Sequence, residues 1–273
     1  MDSIDALLLG IIQGLTEYLP VSSSGHLVLG SHTLGIDDQD GNLTFAVVVH
    51  AATALSSIVI FYKEIISIFK DLFAFKWNEG TKYATMLVLS ALPVIVIGLF
   101  FEDKLEELFS DNLTVVGIGW IVTGALLLFT MSVKKHDKKL GFLNTFLVGL
   151  AQAIAVVPGV SRSGATIAVG LLQRIDPTQI ARFSFLMVIA PILGKAALDV
   201  KKIMSPDAEE AAQVAASTTD ALPLLIGFVA AFVVGLIACR AMINIVRRNK
   251  LYYFSIYCFI LGVIAILIGN NIL

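Results

Sequence analysis

The feature that most constrains this chain is a series of long apolar segments with few or no charged residues. A run of roughly 18–20 apolar residues can cross the hydrocarbon core of a bilayer, which is about 30 Å thick. Of the 273 residues, 57% are hydrophobic and 15% are charged, whereas soluble domains carry about 25% charged residues. The sequence therefore predicts an all-α polytopic membrane protein and excludes a soluble globular domain.

Two further apolar regions, residues 3–35 and 141–174, are interrupted by Pro, Gly and Ser in "LPVSSSGH" and "VPGVSRSG". Each half of these regions is too short to span, and irregular backbone at membrane depth requires protein or a water-filled cavity to satisfy its polar groups. Each region therefore predicts a re-entrant hairpin whose break lines a cavity. The six uninterrupted spans are predicted at residues 43–62, 82–101, 112–132, 177–199, 220–242 and 252–270.

The basic residues give this arrangement an orientation. If both broken regions return to the side from which they enter, eleven Lys and Arg residues fall on one face, around 63–82, 134–139 and 247–250. Three lysines and the acidic stretch 102–111 fall on the other face. The positive-inside rule places the basic face in the cytoplasm. Both termini are then expected to be extracytoplasmic, in a multi-pass protein of the plasma (inner) membrane.

The chain also contains an internal repeat. At an offset of 139 residues, Gln13 aligns with Gln152 and Ser22 with Ser161. We expect one membrane domain over 1–273, made of two repeats at 1–132 and 141–273. Each repeat is a broken hairpin followed by three spans, and because three is odd, the second repeat is inverted relative to the first. Broken helices that meet between inverted repeats are a usual place for a polar ligand site.

The first break groups residues that suit nucleophilic chemistry. Gln13 and Glu17 share one helical face, and Ser22 can cap the helix that follows Pro20. Ser22 and Ser23 lie four and three residues before His26. A hydroxyl and an imidazole are thus expected side by side, with a carboxylate nearby, which is the arrangement of an activated nucleophile.

The second break groups residues that suit an anion. Ser161, Arg162 and Ser163 lie at a predicted helix N-terminus, and Thr166 follows about one turn later. Free backbone N–H groups, hydroxyls and a guanidinium together predict a phosphate or pyrophosphate site. An arginine at bilayer depth costs at least about 2.5–3.5 kcal/mol on insertion scales, which favours a functional role.

These two motifs closely resemble those of the undecaprenyl-pyrophosphate phosphatase family, also called bacitracin-resistance proteins. The resemblance rests on "QGLTEYLPVSSSGH" and "PGVSRSGAT" and covers essentially the whole chain, including "RFSF" at 182–185. It implies an integral membrane enzyme that hydrolyses undecaprenyl (polyprenyl) pyrophosphate to the monophosphate and inorganic phosphate. Such an enzyme recycles the lipid carrier for peptidoglycan synthesis and confers bacitracin resistance.

The resemblance also assigns residues. It implies that a divalent cation, Mg²⁺ or Ca²⁺, is held by Glu17 with Gln13, which stands where the family has Glu or Gln. The matching catalytic positions are Glu17, Ser23, His26 and Arg162. The matching substrate-binding positions are Gln13, Ser22, Ser24, Gly25, Ser161, Ser163, Gly164 and Thr166.

The hypothesised mechanism follows from charge. Arg162 and the two helix N-termini would hold the phosphates, and His26 would act as a base or as a proton donor to the leaving group. Glu17 would orient His26 or hold the cation. The sequence leaves Ser23, His26 and a water molecule open as the nucleophile.

One alternative function and the expected partners complete these expectations. A secondary transporter or lipid-phosphate flippase is the alternative function, because inverted repeats with broken helices are a transporter architecture. The expected partners are the polyprenyl pyrophosphate and membrane lipids, without nucleic acid, and a homodimer is kept beside a monomer. His50, inside a span, is interpreted as a structural residue.

Overall fold

Helices provide the regular structure throughout the part of the chain that the computed structural model describes, residues 1–36, 39–100, 113–133, 135–189, 191, 221–248, 250–270 and 272. Within these ranges no β-strand forms, and one isolated bridge joins Lys138 to Ile175. The predicted all-α class is confirmed. The helices are α1 (Ser3–Thr16), α2 (Ser23–Leu34), α3 (Gln39–Ile60), α4 (Tyr62–Phe73), α5 (Glu79–Phe100), α6 (Leu113–Phe129), α7 (Phe142–Ile154), α8 (Arg162–Leu172), α9 (Pro177–Met187), α10 (Ala221–Arg247) and α11 (Tyr252–Gly269).

Four stretches of helix among the described residues are long and apolar enough to cross a membrane. They are Glu79–Gly98, Leu113–Ser132, Ala221–Arg247 and Tyr252–Gly269. They correspond to the spans predicted at 82–101, 112–132, 220–242 and 252–270. Of the span predicted at 177–199, α9 covers the first part as far as Met187, and most of the remainder lies outside the described residues.

The predicted span 43–62 continues into a further helix. The stretch Thr44–Ile60 and the helix α4 are bent by 74° relative to one another. The segment 62–73, which the sequence placed in a basic loop, is therefore helical. An exposed apolar stripe at Tyr62, Ile66, Phe69 and Phe73 follows its outer face.

Both broken hairpins are present as pairs of short helices. Helices α1 and α2 are separated by residues 17–22, and helices α7 and α8 by residues 155–161. Asp2 begins α1 with a capping box, in which its carboxylate accepts the N–H of Asp5 while the Asp5 carboxylate accepts the N–H of Asp2. Each hairpin therefore has the interrupted form that its Pro, Gly and Ser residues predict.

Helix packing relates the two halves. Helix α1 packs on α10, and α7 packs on α5. In the predicted repeat, α1 corresponds to α7 and α5 to α10, so each hairpin packs against a span of the opposite half. Helix α6 packs on α11, which is its counterpart. The packing of each hairpin on a span of the other half is compatible with the predicted inverted repeat. The orientation of the repeats in the membrane and the location of the termini stay predictions.

Small residues allow two of these helices to approach closely. A Cβ atom on Gly117 of α6 would collide with the carbonyl oxygen of Gly262 on α11, and a Cβ atom on Gly262 would collide with the carbonyl oxygen of Gly117. Close approach at small residues is a common way for membrane helices to associate, because lipid supplies no hydrophobic force between them. Helix α6 also lies against the break that precedes α8, because a Cβ atom on Gly119 would collide with the carbonyl oxygen of Pro158.

The break before α8 contains a glycine that another residue cannot replace without strain. Gly159 has a φ of +85°, and a Cβ atom added to it would overlap the carbonyl group of Val116. Gly35 also has a positive φ, +67°, but nothing lies within 4 Å of the position of its Cβ. Substitution of Gly35 by alanine therefore introduces backbone strain alone, whereas substitution of Gly159 introduces both backbone strain and steric overlap.

We expect Gly159→Ala to lower the thermal midpoint in detergent by roughly 5 °C more than Gly35→Ala, because overlap in a packed region adds about 1–3 kcal/mol to the backbone strain. Thermal unfolding of the purified variants measures this difference. Equal shifts for the two variants would contradict the close packing of the break against α6.

Candidate active site

The break in the first hairpin is shaped by a serine cap. The Ser22 hydroxyl accepts a hydrogen bond from the N–H of Gly25 at 3.3 Å, as predicted for the N-cap of α2. Ser22 has a φ of 66°, which is unfavourable for a residue with a side chain. The indole N–H of Trp120, on α6, donates to the carbonyl oxygen of Val21 at 2.6 Å. The irregular backbone is thus held by its own side chain and by α6.

The second break repeats this cap. The Ser161 hydroxyl accepts from the N–H of Gly164 at 3.0 Å, and the Ser161 N–H donates to the hydroxyl of Thr123 on α6. In both hairpins the capping hydroxyl lies 3.2 Å from the hydroxyl two residues later: Ser24 in the first hairpin and Ser163 in the second. The capping residues aligned at an offset of 139 therefore make the same contacts.

The two breaks meet, as the repeat predicts. The guanidinium of Arg162 donates to a carboxylate oxygen of Glu17 at 2.6 Å. The Ser163 hydroxyl donates to the carbonyl oxygen of Leu19 at 3.1 Å. These bonds join residues about 145 positions apart, so the site belongs to both halves of the chain.

Glu17 is the centre of the cluster. It is 8% exposed, and its carboxylate accepts hydrogen bonds from three side chains. The Ser23 hydroxyl and the Gln13 amide donate to one oxygen at 2.7 and 3.0 Å, and Arg162 donates to the other. A buried carboxylate requires such donors, because desolvation otherwise disfavours its charged form. The Ser23 hydroxyl is thus directed at a group that can accept its proton.

Arg162 is oriented by a second acceptor. Its other terminal nitrogen donates to the carbonyl oxygen of Ser184 on α9 at 3.0 Å. The Ser184 hydroxyl lies 2.6 Å from the hydroxyl of Thr166, which donates to the carbonyl oxygen of Arg162 at 2.8 Å. Ser184 belongs to the "RFSF" segment, so this segment accepts a hydrogen bond from the guanidinium and orients it toward Glu17.

His26 lies at the same break but bonds to other groups. Its Nδ1 lies 2.7 Å from the carbonyl oxygen of Ser22, and its Nε2 lies 2.8 Å from the hydroxyl of Tyr257. The i,i+4 spacing therefore brings His26 to the carbonyl of Ser22 rather than to its hydroxyl, because the cap already uses the hydroxyl. The carboxylate of Glu17 accepts from Ser23 and not from His26. Tyr257 did not stand out in the sequence, since it lies 231 residues away on an apolar helix.

A second histidine reaches the cluster. Nε2 of His50, on α3, lies 3.7 Å from a carboxylate oxygen of Glu17, and Nδ1 lies 2.7 Å from the carbonyl oxygen of Ala46. The His50 side chain is 32% exposed, more than those of Glu17 and Arg162. The interpretation of His50 as purely structural missed this contact. The available signal was an ionisable residue inside a predicted span, which is a functional candidate by default.

The donor set for a cation is small. No group of three His, Cys, Asp or Glu side chains that can hold a metal occurs in the described ranges. The amide oxygen of Gln13 is buried and has no hydrogen-bond partner among the described residues. One carboxylate and one free amide oxygen fit an Mg²⁺ ion that takes its remaining ligands from water and substrate phosphates, which is its usual mode of binding. They do not form a cage of protein ligands for Ca²⁺.

Comparison with known proteins connects this geometry to a family. The family model described as "Bacitracin resistance protein BacA" matches residues 6–264. An undecaprenyl-diphosphatase of Bacteroides fragilis (strain YCH46) is 49% identical over 271 residues, which cover 99% of each chain. The undecaprenyl-diphosphatase of Parabacteroides distasonis is 49% identical over 97% of this chain and 98% of its own. That of Carboxydothermus hydrogenoformans is 40% identical over 96% of each chain.

We expect Glu17→Gln to destabilise the protein strongly, because it leaves the buried guanidinium of Arg162 without a counter-charge. Removing one partner of a buried ion pair costs about 3–5 kcal/mol. Asp137→Asn is the matched control, since the Asp137–Arg174 pair has a similar distance, 2.9 Å, but both of its side chains are exposed. An exposed pair contributes about 0–1 kcal/mol.

Thermal unfolding in detergent compares the two variants. A fall of roughly 10 °C for Glu17→Gln and of less than about 3 °C for Asp137→Asn is the expected result. If the two variants unfold at the same temperature, the Glu17–Arg162 pair does not hold the hairpins together.

Proposed function

This chain belongs to the bacitracin resistance protein family, and we propose that it is an undecaprenyl-diphosphatase, which removes the terminal phosphate of a polyprenyl pyrophosphate. The contact between Ser23, Glu17 and Arg162 carries this proposal. It combines a hydroxyl, a proton acceptor and a phosphate-binding cation in one place, as phosphoryl transfer requires. Recycling of the lipid carrier for cell-wall synthesis and bacitracin resistance follow from this activity.

The charge of the substrate explains why the two hairpins must meet. A pyrophosphate carries about three negative charges, which only fixed cations and dipoles can stabilise in apolar surroundings. Arg162 supplies a positive charge, part of which its ion pair with Glu17 already balances. The N-termini of α2 and α8 add backbone N–H groups that have no helical carbonyl partner, together with the positive ends of two helix dipoles. The serines at positions 22, 24, 161 and 163 and the hydroxyl of Thr166 surround these termini.

Ser23 is the group best placed to begin the reaction. Its hydroxyl, or a water molecule bonded to it, attacks the terminal phosphorus while Glu17 accepts the proton. The bond from phosphorus to the bridging oxygen breaks, and the polyprenyl monophosphate leaves. If the Ser23 hydroxyl attacks, Ser23 becomes phosphorylated, and a water molecule then attacks this phosphoserine and gives a proton to Nε2 of His26. The bond from phosphorus to the Ser23 oxygen breaks, Ser23 recovers its proton from Glu17, and inorganic phosphate leaves. The 2.7 Å bond between Ser23 and Glu17 supports this order, in which the proton acceptor of Ser23 is the carboxylate rather than the imidazole.

A divalent cation, Mg²⁺ or Ca²⁺, is part of the proposal. Glu17 and the amide oxygen of Gln13 would hold it together with the pyrophosphate, and it would neutralise part of the substrate charge. The other proposals are that the enzyme lies in the plasma membrane with both termini outside and that it binds membrane lipids. The homodimer stays a prediction. Transport remains the alternative, but it does not require a carboxylate bonded to a serine hydroxyl.

We expect Arg162→Ala to slow phosphate release by about 10²–10³-fold, the usual cost of removing one electrostatic group, and Ser23→Ala to slow it at least as much, because the loss of a nucleophile costs more. Ser67→Ala and Arg247→Ala are matched controls, since both residues are exposed and distant from the breaks in sequence. The assay follows inorganic phosphate released from polyprenyl pyrophosphate in detergent with Mg²⁺.

Wild-type rates in Ser23→Ala or Arg162→Ala would overturn the assignment of the site. Uptake of a lipid phosphate by proteoliposomes without any release of phosphate would instead favour the transporter or flippase.

A further inference from the structure

The tautomer of His26 is determined by its own helix. A carbonyl oxygen accepts hydrogen bonds but cannot donate them, so the Nδ1 atom that lies 2.7 Å from the Ser22 carbonyl carries the proton. In the neutral imidazole, Nε2 then presents a lone pair. The hydroxyl of Tyr257, 2.8 Å away, is therefore the donor of the bond to Nε2.

Three helices hold the imidazole in place. The N-cap of helix α2 supplies the Ser22 carbonyl, and helix α6 supplies Trp120, whose ring meets His26 edge to face with centroids 5.2 Å apart. Trp120 is fully buried and is fixed by its bond to the Val21 carbonyl. Helix α11 supplies Tyr257, whose ring lies within 6° of parallel to the imidazole. Among these contacts, the Tyr257 hydroxyl alone reaches the nitrogen that the proposed reaction uses.

The neighbourhood of Tyr257 points to a role beyond packing. Its side chain is 42% exposed, so it does not fill the core. Tyr253 lies one turn earlier on the same helix and is similarly exposed, but its ring contacts Tyr252 rather than the histidine. Two tyrosines that are both exposed, on the same helix, thus differ in the contact with His26.

We infer that Tyr257 is a positioning residue of the active site, which orients His26 by donating a hydrogen bond to Nε2. The inference rests on the proposed function, because it concerns the histidine of that reaction. It connects the C-terminal helix to the first break, so the site uses residues from both ends of the chain. The bond keeps the lone pair of Nε2 at a defined place and must yield when the nitrogen takes up a proton from the reaction.

Tyr257→Phe tests this inference, with Tyr253→Phe as the matched control. The lost bond is one between uncharged groups, so we expect kcat for phosphate release to fall about three- to tenfold in Tyr257→Phe. KM is expected to change by less than about twofold, since Tyr257 does not hold phosphate. Tyr253→Phe is expected to leave both constants at the wild-type values.

Nitrogen NMR of the protein labelled with ¹⁵N-histidine separates positioning from a structural role. The Nε2 resonance of His26, assigned with His26→Gln, is expected to shift in Tyr257→Phe and not in Tyr253→Phe, at equal thermal midpoints. This measurement does not depend on activity, so it stands even if the chain releases no phosphate. An unchanged Nε2 resonance or an unchanged kcat in Tyr257→Phe would overturn the inference.

Discussion

The bond between Glu17 and Arg162 is the interaction on which the rest of this structure depends. Each charge alone would be too costly to bury in apolar surroundings, and the pair is stable because further donors and acceptors complete it. Gln13 and Ser23 donate to the carboxylate, while the carbonyl of Ser184 accepts from the guanidinium. The same pair places a proton acceptor beside a phosphate-binding cation. One contact therefore both joins the two hairpins and forms the site of the proposed phosphate release.

Bringing these two residues together requires both helical hairpins to break. A continuous helix would satisfy its own backbone but would offer no free N–H groups to an anion. The breaks expose two helix N-termini, and the capping serines and helix α6 satisfy the polar groups that remain. Trp120 holds the first break and Thr123 the second, from positions three residues apart. Helix α6 thus acts as the support that sets the distance between the two halves.

The sequence predicted the parts of this site that follow from local spacing and from the repeat. The cap at Ser22, the helix N-terminus at Ser161 and the meeting of the two breaks are confirmed. The hydrogen-bond partners of the side chains were less predictable. The spacing placed His26 beside Ser22, but it did not decide whether the imidazole bonds to the hydroxyl or to the carbonyl of Ser22. The contacts of Tyr257 and His50 depend on how distant helices pack, and an apolar helix carries no local signal for its neighbours. The continuation of α3 into α4 depends in the same way on packing beyond the apolar pattern.

A double-mutant cycle on kcat/KM for phosphate release, with Glu17→Gln, Arg162→Gln and the double variant, tests the central claim most directly. If the two residues act as one unit through direct contact, kcat/KM of the double variant is no lower than that of the less active single variant. If the losses of the single variants multiply in the double variant, the two hairpins contribute independently and the account of a shared site is contradicted.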